Sequence, residues 1–163
     1  MLLNERPWRE AHLFGEGDAA RRAVSDIFYH SARVLLATTV NGPHPAGKPL
    51  PAPPLIPVPE VAAAVADTAA AFCALDELDI PGADRALVFP TVIAGCHAQT
   101  DMQAFFRDRF VRLGEEAVAF GNTQNALRLM EEVWRRREGV LPDEVVHWRR
   151  VMFELDDEGL LLI

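Results

Sequence analysis

An all-α fold is predicted, an irregular bundle of five to six helices with one long proline-rich connection. Apolar residues recur at helical spacing in one segment after another, and no stretch alternates apolar and polar residues as a half-buried strand does. Alanine and leucine are plentiful, tyrosine occurs once, and half of the 163 residues are hydrophobic. Eight of the twelve prolines fall in one place, between Asn41 and Pro59. Proline fixes φ and has no N–H, so that stretch reads as an extended connector between helices and cannot be a helix or a central strand. A polyproline docking site is the sharper alternative for it.

Helix one is expected over 18–39, with Val24, Ile27, Phe28, Ser31 and Leu35 as its stripe, Asp18 as N-cap and Asn41-Gly42 as its stop. Helix two begins at Pro59, a residue suited to a first turn, and carries Val61, Val65, Thr68, Phe72 and Leu75. Alanines fill most of its other positions and allow close approach. Helix three covers 84–98. It is apolar on all sides from Ala86 to Cys96, and a helix without a polar face belongs at the centre of a bundle. Pro90 should kink it or mark its first turn; a buried strand is the runner-up for this short run. Helix four spans 101–120, with Met102, Phe106, Phe110, Leu113 and Ala117 inward, Phe105 beside them, and Arg107, Asp108, Arg109 and Arg112 off the stripe. Helix five spans 123–138, capped by Asn122, with Ala126, Met130, Val133 and Trp134 inward and Arg135, Arg136 and Arg137 in a last turn that favours cations. A short helix around 143–155 follows Pro142, and 1–163 is read as a single domain.

The same residues exclude several chemistries. The net charge is −8, whereas nonspecific binding to phosphate backbones draws its affinity from a basic surface. Two cysteines cannot build a disulfide framework or a cysteine zinc cluster. The Glu144–His147 spacing occurs once, and a carboxylate-bridged di-iron bundle needs it twice. No metal and no cofactor is expected. Ser31 beside His30 and Cys96 beside His97 are chain neighbours, which point about 100° apart on a helix and do not face each other. His97 and Asp101 could pair if the helix runs through. No glycine-rich phosphate loop and no nucleophile elbow is present, so no catalytic residue is assigned and no enzyme is expected. The three successive arginines are explained by pairing with nearby glutamates on the helix. No secretory h-region follows Met1-Leu2-Leu3, and no apolar run reaches the roughly 20 residues a bilayer needs; no membrane partner is expected.

Five segments nevertheless form an ordered set: Ile27 to Leu36, Leu87 to Cys96, Arg109 to Leu113, Asn125 to Trp134, and His147 to Met152, closed by a leucine-rich end. Together they resemble the C-terminal part of the fungal-specific transcription factor regulatory domain, found in the family of binuclear zinc-cluster fungal transcription factors. The resemblance runs roughly from Ala19 to Ile163 and rests on the order of packing motifs. It implies an all-α regulatory domain, a nuclear setting, and a part in ligand response, dimer contact or repression. The six-cysteine zinc cluster is not in these 163 residues, so direct nucleic-acid binding is not carried over to this chain. The usual domain is longer, and shortening a helical domain should uncover apolar helix faces that take a protein partner or a second copy of the chain. Some relatives are similar to sterol sensors. Phe89, Ile93, Phe106, Phe110, Met130 and Trp134 are accordingly the candidate lining of an apolar small-molecule pocket. A receptor or a stand-alone enzyme on the same scaffold is the alternative function.

Overall fold

A computed structural model describes residues 19–40, 58–79, 83–116, 122–139 and 146–155. Within them lie six α-helices and no strand: α1 (Ala19–Val40), α2 (Val58–Asp76), α3 (Val88–Cys96), α4 (Thr100–Glu116), α5 (Asn122–Glu138) and α6 (Trp148–Leu155). A 3-10 turn, Ala83–Leu87, leads into α3. Most of the proline-rich stretch, the Asp18 cap, the Asn41-Gly42 stop and the Pro142 turn lie outside the described residues.

Helix α3 is the hub. Every residue from Pro90 to Cys96 is buried, and the helix touches α1, α2, α4 and α5. An all-apolar segment gains most where no side meets water, which places it at the centre. It is a helix and not the alternative strand. Pro90 stands in the first turn, where its missing N–H breaks no intrahelical bond, and the 3-10 turn directly precedes that turn. The Thr91 hydroxyl donates to the Leu87 carbonyl at 2.6 Å, satisfying an oxygen of the 3-10 turn.

Helices α1 and α2 pack along each other as a pair. The α2 stripe matches its prediction: Val65, Thr68, Phe72 and Leu75 are buried, joined by Ala64 and Ala69, with Val61 half-buried. The α1 face is rotated from its prediction. Ala23, Ile27, His30, Ser31, Val34 and Ala37 are buried, while Phe28 is 45 % exposed. Apolar residues occupy two adjoining faces of α1, and the neighbouring helices cover the one that includes His30. That histidine faces Asp67 of α2, with Nδ1 3.5 Å from the carboxylate, and Arg33 reaches the same carboxylate at 3.6 Å.

Helices α4, α5 and α6 build the other side. Phe106 and Phe110 of α4 are buried as expected, as are Ala126, Met130, Val133 and Trp134 of α5, with Leu129 added. One correction is large. Arg109, expected off the α4 stripe, is fully buried. Its Nη2 donates to the Asp76 carboxylate at the end of α2 at 2.5 Å. Its guanidinium lies 4.1 Å from the Phe72 ring centroid and 5.5 Å from that of Phe105. A guanidinium is flat and weakly hydrated, so it can stack on the Phe72 ring where an ammonium could not.

Candidate functional site

The six residues proposed to line an apolar pocket come from α3, α4 and α5. Ile93, Phe106, Phe110, Met130 and Trp134 belong to one buried core, and Phe89 is 42 % exposed in the first turn of α3. Met130 packs directly against Gly95, where a Cβ would collide with its sulfur. The Trp134 indole donates to the Gly95 carbonyl at 2.8 Å, which fixes α5 on α3. Gly95 therefore serves a close helix approach that a side chain would obstruct.

Apolar surface remains outside this core. Phe28 and Leu36 are 45 % and 48 % exposed. With the exposed Ala32 between them they stand at i, i+4 and i+8, and so share one face of α1. No charged residue interrupts that row. Val111 of α4 and Phe153 of α6 are exposed singly.

The three arginines at the end of α5 behave differently from one another. Arg135 and Arg136 both bond Glu132 at 2.7 Å, and Arg136 also bonds Glu154 of α6. These bonds pull the Glu132 carboxyl down to about 2. Helix charge pairing thus accounts for two of the three. Arg137 turns inward. Its Nη2 lies 3.2 Å from His97 Nδ1, and its Nη1 reaches the Ala98 carbonyl at 3.5 Å.

His97 ends α3 instead of continuing it: its N–H bonds the Ala94 carbonyl, and α4 starts at Thr100. The helix does not run through, and the structure gives no His97–Asp101 bond. Burial, then the Arg137 charge, hold the His97 pKa down at about 3, so the ring is neutral and accepts from Arg137. Nothing in the spacing of the sequence pointed to this contact, because its partners lie 40 positions apart. Buried Cys96 beside it has its thiol pushed up to about 12, mainly by burial, which leaves it un-ionised and a poor nucleophile. Cys73 is exposed on α2. Ser31 donates to the Phe28 carbonyl. Glu144 lies outside the described residues. Among those described, no group of three or more His, Cys, Asp or Glu side chains is placed to hold a metal ion. Nor is any helix among them long and apolar enough to cross a membrane.

A cleft of about 510 Å³ opens between the end of α5 and the start of α4, with Gln99, Thr100, Asp101, Trp134, Arg137 and Glu138 among its walls.

Comparison with known proteins gives one consistent result. The profile of the fungal specific transcription factor domain matches residues 5–163. The chain is 26 % identical over 136 residues to the trichothecene biosynthesis transcription regulator TRI10 of Trichoderma arundinaceum, a match covering 83 % of this chain and 29 % of that protein. It is 32 % identical over 117 residues to the transcription factor dibT of Pestalotiopsis microspora, covering 72 % of this chain and 16 % of that protein. The chain thus matches less than a third of the length of either relative. No solved structure matches it.

Proposed function

The chain belongs to the fungal-specific transcription factor domain family, and we propose that it acts there as a regulatory contact domain in the nucleus. It neither reads DNA nor catalyses a reaction. The observation that carries this reading is the uncharged row Phe28–Ala32–Leu36 on the outer face of α1. Covering the exposed halves of Phe28 and Leu36 is worth about 1 kcal/mol each, and a two-fold contact would count both twice. The net charge of −8 supports contact with protein in preference to nucleic acid.

Sensing of an apolar small molecule is the finer alternative within the same family reading. It would require the packed set around Gly95 and Met130 to open. The close approach there supports the contact reading over it.

Sedimentation of the 163-residue chain tests the proposal. We expect a concentration-dependent dimer. The double substitution Phe28→Glu and Leu36→Glu should give a monomer with unchanged helical circular dichroism. A wild-type chain that stays monomeric at every concentration overturns self-contact. A dimer indifferent to both substitutions moves the contact away from α1.

A further inference from the structure

We propose that the cleft between the end of α5 and the start of α4 is a binding site for a small monocarboxylate, with the Arg137 guanidinium as its anchor. The proposal starts from an inversion along three successive residues. Arg135, the most exposed, and Arg136 are both paired with carboxylates. Arg137, the most buried, makes no ion pair among the described residues, and its two hydrogen-bonding partners are the neutral His97 ring and a backbone carbonyl. A charge withdrawn from water costs free energy unless an opposite charge meets it. Salt bridges tie down the cations that need them least, and the one that needs a counter-charge opens on a cleft instead.

The geometry favours a carboxylate. A guanidinium has five N–H donors in a rigid fork. His97 and Ala98 engage one on each terminal nitrogen and so orient the group, leaving donors for a bidentate acceptor. Trp134, 3 % exposed, contributes to the wall of the same cleft, and Gln99 and Thr100 line it as neutral polar residues. Asp101 and Glu138 are exposed at the rim. Their negative field opposes a dianion such as phosphate more strongly than a monoanion. The expected ligand is a single carboxylate on an apolar body, with a neutral or cationic far end. The site is separate from the α1 face, so each can fail without the other.

The test is an NMR titration of the 163-residue chain with benzoate, its neutral analogue benzamide, and inorganic phosphate. Benzoate should shift the Thr100 amide and the Trp134 indole N–H saturably. Benzamide and phosphate should each bind about tenfold more weakly or worse. Arg137→Gln should weaken benzoate by about the same factor, while Arg135→Gln, on the same turn but outside the cleft, should leave it unchanged. Asp101→Asn should tighten it severalfold. If Arg137→Gln does not fold, Arg137→Lys, which keeps the charge and loses the fork, should still weaken binding severalfold. The idea is overturned if benzoate gives no saturable shift. It is also overturned if benzamide or phosphate matches benzoate, or if neither Arg137 substitution weakens it.

Discussion

Removing the Asp76 carboxylate would take a counter-charge from a cation that water does not reach. Arg109 is 0 % exposed and Asp76 is 39 % exposed, so the two ends of this pair are not equivalent. Asp76→Ala takes the carboxylate from a buried guanidinium and should cost about 2–4 kcal/mol. Arg109→Met keeps most of the side-chain volume against Phe72 and Phe105 and leaves Asp76 where water and the nearby Arg112 can still solvate it. It should cost about 1 kcal/mol. Urea midpoints of the two variants measure the asymmetry, and equal losses would mean that the charge at Arg109 is not what the pair secures. By contrast, Glu132 with Arg135 and Glu154 with Arg150 are surface pairs within one helix, where double mutants should reveal little.

At the scale of elements, the junction from α3 to α4 makes stability depend on pH. His97 has a folded pKa of about 3 against an unfolded value of 6.5. Between those values the unfolded chain binds the extra proton, so stability is complete above pH 6.5 and is lost as pH falls towards 3. From pH 7 to pH 5 the loss should be about 2 kcal/mol from this residue. Burial lowers the pKa of His147 as well, which adds in the same direction. His97→Gln can still accept from Arg137 and should remove most of the slope in a denaturant series. Glu132, whose folded pKa is about 2, contributes only below about 4.5 and does not enter this window.

That junction also marks where the sequence stops being legible. Helix existence could be read from period and punctuation: α2 from Pro59 and its stripe, α5 from its stripe from Ala126 to Trp134, α3 from its lack of any polar face. What could not be read is which of two adjoining faces is buried when both are apolar, as on α1, where Phe28 lies outward and His30 inward. Nor could the burial of Arg109 or the contact of Arg137 with His97 be read, because both depend on partners 33 and 40 positions away. A stripe rule assigns cations to water and has no way to see the Phe72 ring and the Asp76 carboxylate waiting on another helix. The candidate site shows the same division. All six residues proposed for the pocket were read as buried and five of them are, Phe89 being the exception, but the exposed row on α1 and the cleft beside Trp134 appear only when helices are set against one another.

For the whole molecule, the position of α3 decides whether the chain unfolds as one body. Helix α3 packs against α1 and α2 and also against α4 and α5, and α2 meets α4 directly where Arg109 reaches Asp76 and Phe72. Ile93 is 0 % exposed near the middle of α3, so Ile93→Ala removes packing that both pairs share. It should cost about 2–5 kcal/mol. If 1–163 is a single cooperative domain, that loss must appear everywhere. Amide hydrogen exchange in the variant should then speed up in α1–α2 and in α4–α5 by the same factor, because all of them open through one transition. Val151→Ala, in α6 at the periphery, supplies the contrast. Helix α6 packs chiefly on α5, so its loss should speed exchange in α6 and the adjoining turns of α5 and leave the slowest amides of α2 unchanged relative to their neighbours. Exchange that accelerates in only one of these pairs after Ile93→Ala would divide the chain into two units. Contact at the α1 face and binding at the α4–α5 cleft could then not be coupled through the core. A uniform response would give a ligand in the cleft a physical route to the face of α1, because both would draw on the free energy of the same packed helix.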